Sequence, residues 1–286
     1  MSSLFKTKNS VNTIIGVSND LSSKMSLPIF PRPATTLNTK RNVLAGTLPP
    51  TGVKPAVAYF GIGIKGFYNV TDSTLSTPYE PSEENLDIFQ PVPVRVVKND
   101  TAGKALIATT NGQGTGFKDM YRLRTLEIFG GEEYWCFYLK KLTLTSTEVD
   151  IVREDLATNI RTPYIFDASN LNPVPVKTSG IDTEQTATSK VIASVSALAT
   201  ITGEELAEAI NIIYGGDFRL ARISEVGYYS GFDADVTTPA DGGPVYKEAA
   251  YVQLSTHRCF LGSDLSDPSS IFEERVHFEN GSQFLI

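Results

Sequence analysis

The chain has few of the side chains on which enzymes and metal proteins commonly depend. Its 286 residues include two histidines, two cysteines, three methionines and one tryptophan. No apolar run reaches the ~18–20 residues that a membrane-spanning helix needs, and the N-terminus lacks the continuous hydrophobic region of a secretory signal. We therefore expect no membrane insertion and no secretion. Cys136 and Cys259 are then interpreted as buried thiols, with a disulfide between them left open as the alternative.

The first fifty residues carry a net positive charge, whereas the rest of the chain is acidic. The net charge is −7, yet residues 1–50 carry six basic side chains against Asp20 alone, which leaves −12 for the remainder. An acidic body disfavours general binding to nucleic acid or to acidic membranes. We therefore expect neither of these partners.

Residues 1–55 are predicted to form an extended, basic arm. Prolines recur at positions 28, 31, 33, 49 and 50, and proline removes backbone donors and interrupts helices. The arm also carries apolar residues that solvent would not favour, so we expect it to lie in a groove of this chain or of a neighbouring subunit. The candidate contact residues of the arm are Ile29, Phe30, Arg32, Lys40 and Arg41.

The rest of the chain is predicted to be mainly β, with one or two β-sandwich-like units and one short helix. Residues 56–187 form a β domain with long loops, and residues 188–286 form a β unit that could be continuous with it. The helix is expected at about 203–214, because Thr202 and Glu205 have the spacing of a capping box. The hairpin YRLRTLEIFGGEEYWCFYLK turns at its two glycines.

One glycine-rich stretch, YFGIGIKGFYNV at 59–70, has the G-x-G-x-x-G spacing of a dinucleotide-binding loop. That function requires a helix to begin within the motif, so that the pyrophosphate sits on its N-terminal amides. The following FYNVTDSTLSTPYEP disfavours a helix. The preferred interpretation is a strand with one bare face, against which backbone or an aromatic ring packs closely.

The histidines and cysteines offer one further candidate site. His257 and Cys259 lie on one face of a predicted strand, and a zinc site could be completed by His277 and Cys136. Ordinary strand histidines are the preferred interpretation, because a structural zinc site usually needs four ligands in closed spacing. We therefore predict no catalytic residue, no cofactor-binding residue and no metal ligand.

Several stretches resemble virion proteins of tailed bacteriophages. LPPTGVKPAVAYFGIGIKGFYN, followed by LSTPYEP, resembles the start of a phage tail or baseplate structural protein. RLARISEVGYYSGFDADV, followed by YKEAAYVQLSTHRCF, is similar to a strand that opens a β unit in such proteins. The order of helix, that strand and DPSSIFEERVHFEN is distantly similar to the end of baseplate wedge subunits of contractile-tailed phages. The resemblance implies a structural role, and it contains no catalytic motif from which site residues could be transferred.

The sequence thus predicts a non-enzymatic structural subunit of a tailed-phage virion, in the baseplate, tail or neck. Its partners would be other virion proteins and copies of itself, and it would be assembled into the virion in the host cytoplasm. Loops at 69–87 and 232–246, with Tyr79 and Phe232, are further candidate interfaces. A carbohydrate- or host-receptor-binding β-sandwich module is the alternative, and an enzyme built around either histidine is a third hypothesis.

Overall fold

The fold was analysed in a computed structural model of the chain. The structure describes residues 10–27, 32, 34–69, 76–110, 115–146, 148–171, 188–216, 222–236, 246–264 and 269–284. In these segments, no helix combines the length and the apolar character needed to cross a membrane.

The described residues are mostly in strands. The strands are β1 Ser10–Asn12, β2 Ala56–Gly63, β3 Phe67–Asn69, β4 Ser76–Pro78, β5 Pro91–Val92, β6 Arg95–Lys98, β7 Tyr121–Phe129, β8 Glu132–Lys141, β9 Thr143–Leu144, β10 Asp150–Asp155, β11 Arg161–Pro163, β12 Ser189–Thr202, β13 Arg222–Val236, β14 Tyr246–Asp264 and β15 Ile271–Phe284. The α-helices are α1 Ile14–Lys24, α2 Leu37–Arg41, α3 Thr101–Ile107, α4 Phe117–Met120 and α5 Gly203–Tyr214, and Ala168–Leu171 forms a 3₁₀ turn. The predicted mainly β fold class is confirmed.

The chain divides into two compact units, and neither is continuous in sequence. The described part of the large unit falls in Phe5–Leu142 and Ala199–Glu273, and that of the small unit falls in Thr143–Leu198 and Glu274–Ile286. The sequence analysis instead placed its boundaries after residues 55 and 187. The division differs because strand pairing joins segments far apart in the chain, which a pass along the sequence does not show.

An antiparallel sheet forms the centre of the large unit. Its strands run in the order β1-β14-β13-β2-β8-β6, with β5 added to β2 and β7 to β8. The side chains on this sheet bury an apolar core, which includes Tyr59, Val96, Leu139, Tyr229 and Val252. The predicted hairpin is confirmed as β7 and β8, and Gly130 and Gly131 supply the positive φ angles of its turn.

The small unit holds a separate antiparallel sheet. Its strands run in the order β11-β10-β12-β15, and β9 pairs with β12. Along β12 the side chains of Ile192 and Ala197 are buried. Several apolar side chains of this unit remain exposed, among them Leu144, Val149 and Ile160.

The helix predicted at about 203–214 is confirmed as α5. The Thr202 side chain accepts a hydrogen bond from the Glu205 backbone N–H, and the Glu205 carboxylate accepts one from the Thr202 backbone N–H, so that the capping box is complete. Gly215 then ends the helix in the left-handed conformation. The expectation of one helix was too low, because α1 to α4 also form in the described residues.

The N-terminal segment is not a fully extended arm, so that expectation is wrong over α1 and α2. Both helices lie in stretches free of proline, and the side chains of Thr13 and Thr36 cap their N-termini. Both helices pack on β14 of the same chain. Gly16 permits the close approach of α1, since a Cβ there would lie 2.8 Å from the Cα of Ser255.

Candidate functional site

Strands β13 and β14 bring three chemically active side chains together inside the large unit. Glu225 lies opposite Cys259 in the strand register, and His257 lies opposite Gly227. Because residues two apart on a strand share a face, His257 and Cys259 point to the same side of the sheet. All three side chains are buried, so that the cluster Glu225–His257–Cys259 has no direct contact with solvent.

The Glu225 carboxylate is held by backbone groups. Its Oε1 accepts hydrogen bonds from the N–H groups of Gln90 at 2.8 Å and Lys65 at 3.2 Å, and its Oε2 accepts one from Phe89 at 2.8 Å. Burial by itself raises the pKa of this carboxyl. The hydrogen bonds from His257, Gln90 and Phe89 outweigh burial and hold the pKa below its usual range. Glu225 is therefore ionised at neutral pH.

The glycine-rich stretch makes room for this carboxylate. A Cβ on Gly63 would overlap the Glu225 side chain and would lie 2.6 Å from the Gln90 carbonyl oxygen, and a Cβ on Gly66 would overlap the Ser224 carbonyl. After Gly66 the chain enters β3, a strand, where a dinucleotide loop would begin a helix. The predicted close packing against the bare glycine face is therefore confirmed.

Both ring nitrogens of His257 have hydrogen-bond partners. Nε2 donates to Glu225 Oε2 at 3.1 Å, and Nδ1 accepts from Asn85 Nδ2 at 3.1 Å. With these two partners the ring donates from Nε2 and accepts at Nδ1. The Phe89 ring packs edge-on against the imidazole, with 4.7 Å between the ring centroids.

Cys259 completes the cluster as a thiol. Its Sγ lies 3.6 Å from His257 Nε2. Burial, and after it the nearby Glu225 charge, raises the pKa of the thiol to about 12. In a catalytic triad the nucleophile and the orienting carboxylate meet opposite nitrogens of the imidazole. Here the Cys259 sulfur and the Glu225 carboxylate both lie next to Nε2, so the cluster is not arranged for nucleophilic catalysis.

The three donor atoms could instead hold a metal ion, since they all lie within 4.8 Å of one another. His257 and Cys259 lie together, as their spacing predicts, but the other two candidate ligands, His277 and Cys136, are not part of this cluster. His277 lies in the small unit, 2.9 Å from the Ser196 hydroxyl, and Cys136 is buried in the core of the large unit. Glu225 was missed, although an acidic residue inside the apolar run RISEVGYY was the available signal.

The two cysteines are free thiols, as the preferred interpretation predicted. Burial also raises the pKa of the Cys136 thiol to about 12. Cys136 therefore serves as a small apolar side chain within β8.

One family model covers nearly all of the chain. The model of DUF7208, described as a family of unknown function, matches residues 1–267. The chain belongs to the DUF7208 family. No curated protein and no solved structure matches it. The whole cluster lies within the DUF7208 region.

The candidate interface residues of this DUF7208 chain lie in different settings. Lys40 pairs with Asp87 at 2.6 Å, and the Arg41 guanidinium lies 3.3 Å above the Tyr138 ring centroid. Both charges of α2 thus have partners in their own chain. Arg32 is exposed, whereas Ile29 and Phe30 lie outside the described residues.

The candidate interface residues of the two loops also make contacts within their own chain. The Tyr79 ring packs against Tyr68 and Phe89, with centroids 4.9 and 5.7 Å away. Phe232 is half-buried in β13, opposite Ala250, so the chain is still a strand where the sequence analysis began a loop. Residues 70–75 and 237–245 of these loops lie outside the described segments. An interface role for Tyr79 and Phe232 stays a prediction.

A second buried charge cluster supports the same sheet of the DUF7208 fold. The buried Arg122 guanidinium binds both carboxylate oxygens of Asp233, at 2.8 and 3.0 Å. Tyr59 Oη and Lys141 Nζ also donate to this carboxylate. Burial raises the pKa of Asp233, but these donors outweigh it and hold the pKa well below the usual range.

This geometry predicts that the Asp233→Asn variant is about 2 kcal/mol less stable than the native chain near neutral pH, because hydrogen bonds between charged groups are lost. A depressed pKa contributes stability above the unfolded-state pKa, and that contribution fades as the pH falls toward the folded-state pKa. The difference between the two proteins should therefore shrink as the pH is lowered from 4 toward 2. Urea unfolding at several pH values measures it, and a difference that stays constant with pH would contradict the assignment.

Proposed function

We propose that this DUF7208 chain is a non-enzymatic structural subunit of a larger assembly, in the tail, baseplate or neck of a tailed-phage virion. The observation that carries the proposal is the exposed apolar surface of the small unit. Ile165 is 85% exposed, Phe166 74% and Leu171 83%. Large exposed apolar patches on soluble chains commonly mark contacts with other proteins.

Further apolar residues of the small unit are exposed as well, namely Leu144, Val149 and Ile160. Tyr164 packs edge to face against Phe166, at 5.0 Å between centroids, so this surface already has some local order. We refer to residues 160–171 as the apolar segment. In the sequence analysis the N-terminal arm was the main assembly contact, but α1 and α2 pack on their own chain. The apolar segment therefore becomes the principal contact of the proposal.

The buried Glu225–His257–Cys259 cluster supports a non-enzymatic role. Its acid–base groups already bond to one another and to the backbone, and a substrate would need contact with them. The phage assignment itself rests on the resemblance of the stretches at 48–69 and 219–236 to tail and baseplate proteins.

The carbohydrate-binding alternative is less well supported. A sugar platform needs aromatic rings that are exposed and roughly coplanar. The exposed Phe166 meets Tyr164 at an interplanar angle of 84°, and Tyr79 meets Phe89 at 69°. These pairs have the edge-to-face arrangement that aromatic rings adopt when they pack on each other.

The assembly role predicts that the double variant Ile165→Ser, Phe166→Ser associates at least about tenfold more weakly than the native chain, since burying one such side chain contributes ~1.5–3 kcal/mol. Light scattering across a concentration series measures the mass of both proteins. The matched control is Ile128→Ser, which removes an exposed isoleucine from β7 in the large unit and should leave the mass unchanged.

A native chain that stays monomeric at every concentration, with a mass equal to that of the double variant, would contradict self-assembly through this segment. The virion assignment has its own measurement. Mass spectrometry of purified particles of the encoding phage should find the chain at a stoichiometry comparable to that of other tail proteins. Its absence from purified particles would overturn that part of the proposal.

A further inference from the structure

The buried cluster has the dimensions of a zinc site. His257 Nε2 lies 3.1 Å from Glu225 Oε2 and 3.6 Å from Cys259 Sγ. Around a tetrahedral Zn²⁺ with bond lengths of about 2.0–2.3 Å, neighbouring nitrogen, oxygen and sulfur ligands stand about 3.3–3.6 Å apart. The two distances from His257 Nε2 are therefore close to those between zinc ligands, and all three donor atoms lie within 4.8 Å of one another.

We propose that Glu225, His257 and Cys259 bind one Zn²⁺ inside the large unit, through Oε2, Nε2 and Sγ. A thiolate, an imidazole and a carboxylate form a donor set that suits zinc, whereas calcium and magnesium favour oxygen ligands throughout. The carboxylate and the thiolate together neutralise the ion. A buried site without net charge avoids the large cost of an uncompensated charge in the interior.

Two proton movements accompany binding, and the neighbouring groups accommodate both. Cys259 releases its S–H proton to solvent when its sulfur coordinates the ion. His257 keeps one N–H but moves it from Nε2 to Nδ1, which frees Nε2 as a ligand. A half-turn of the Asn85 amide then presents Oδ1 as the acceptor for Nδ1–H. Metal-binding histidines commonly donate such a bond from the far ring nitrogen.

The carboxylate ligand is positioned before any ion arrives. Three backbone N–H groups fix its orientation, and only the bond from His257 Nε2 has to be replaced by the ion. Gly227, opposite His257, allows the Ile88 side chain to pack close to the backbone of the sheet, since a Cβ there would lie 2.8 Å from an Ile88 methyl group. Ordering of the ligands in advance lowers the cost of binding.

The experiment measures the metal content of the full-length chain purified without chelator, and then Co²⁺ binding after refolding with Co²⁺ present. We expect one Zn²⁺ per chain as purified, or one Co²⁺ per chain after refolding. The cobalt form should show the near-ultraviolet charge-transfer band of a thiolate bound to Co²⁺. The Cys259→Ala variant should lose the near-ultraviolet band. Cys136→Ala, which removes the other buried thiol of the large unit, should keep it.

Two further measurements separate a metal site from a purely structural cluster. Asn85→Ala should weaken Co²⁺ binding roughly 10–100-fold, as expected for loss of an outer contact. Zn²⁺ added after the metal has been removed should raise the melting temperature of the native chain but not that of Cys259→Ala, because a ligand stabilises the state that binds it. Circular dichroism establishes that each variant is folded. Failure of the native chain to bind either ion, or equal binding by Cys259→Ala, would overturn the proposal.

Discussion

Replacing Glu225 with alanine is expected to lower the free energy of unfolding of the large unit by about 3–5 kcal/mol, because each buried donor left without its acceptor costs about 1–3 kcal/mol. The substitution leaves three buried backbone N–H groups and the N–H of His257 without their acceptor. The single tryptophan, Trp135, lies on β8 in the same unit. Its fluorescence during urea unfolding therefore reports on this part of the chain.

Two controls distinguish the loss of the hydrogen bonds to Glu225 from the general effect of losing an acidic residue. Glu225→Gln keeps an amide oxygen that can accept from the N–H groups of Gln90 and Lys65, so its cost should be clearly smaller. Glu84→Ala removes an exposed carboxylate and should change stability by less than about 0.5 kcal/mol. If Glu225→Ala were as stable as Glu84→Ala, the cluster would not be the stabilising element that its geometry indicates.

Deleting residues 1–50 is expected to unfold the large unit. Asn38 shows why, since its side chain donates to the Ala249 carbonyl and accepts from the Val252 N–H, at 2.8 and 2.7 Å. These bonds flank Tyr251, whose φ of 52° interrupts the regular pairing of β14. Each buried group left unpaired costs about 1–3 kcal/mol. The apolar burial of Ile15 and Leu37 is lost as well.

The sum of these losses is comparable to the 5–15 kcal/mol that usually stabilises a folded domain. Circular dichroism and limited proteolysis of the shortened chain measure the result, and a folded, protease-resistant product would contradict it. Lys40→Ala is the matched control. It removes an exposed ion pair with Asp87 worth about 0–1 kcal/mol, so it should fold normally if packing, and not basic charge, is the contribution of this segment.

Local patterns were predictable where short-range chemistry decides the structure. The capping box at Thr202 and Glu205 marked the start of α5, and Gly130-Gly131 marked the turn between β7 and β8. Helix α1 was missed because only Ile15 among its residues is buried, which gives little periodicity. Its position depends on β14, more than two hundred residues later in the chain.

The candidate site was only half predictable. The spacing of His257 and Cys259 follows from strand geometry, because residues two apart share a face. Glu225 joins them through the pairing of β13 with β14, and its carboxylate is fixed by backbone groups at 65, 89 and 90. Backbone N–H groups are present at nearly every position, so the sequence carries no mark of which ones will converge on a carboxylate.

The sequence by itself determined the mainly β class, helix α5, the hairpin and the burial of both cysteines, because each depends on residues close together in the chain. The tertiary structure decided which distant segments meet. It placed the basic N-terminal segment on its own β14, gathered Glu225 with His257 and Cys259, and left the apolar segment at 160–171 exposed. These outcomes depend on strand register and long-range packing, whose free energy is shared among many residues and is absent from any local pattern.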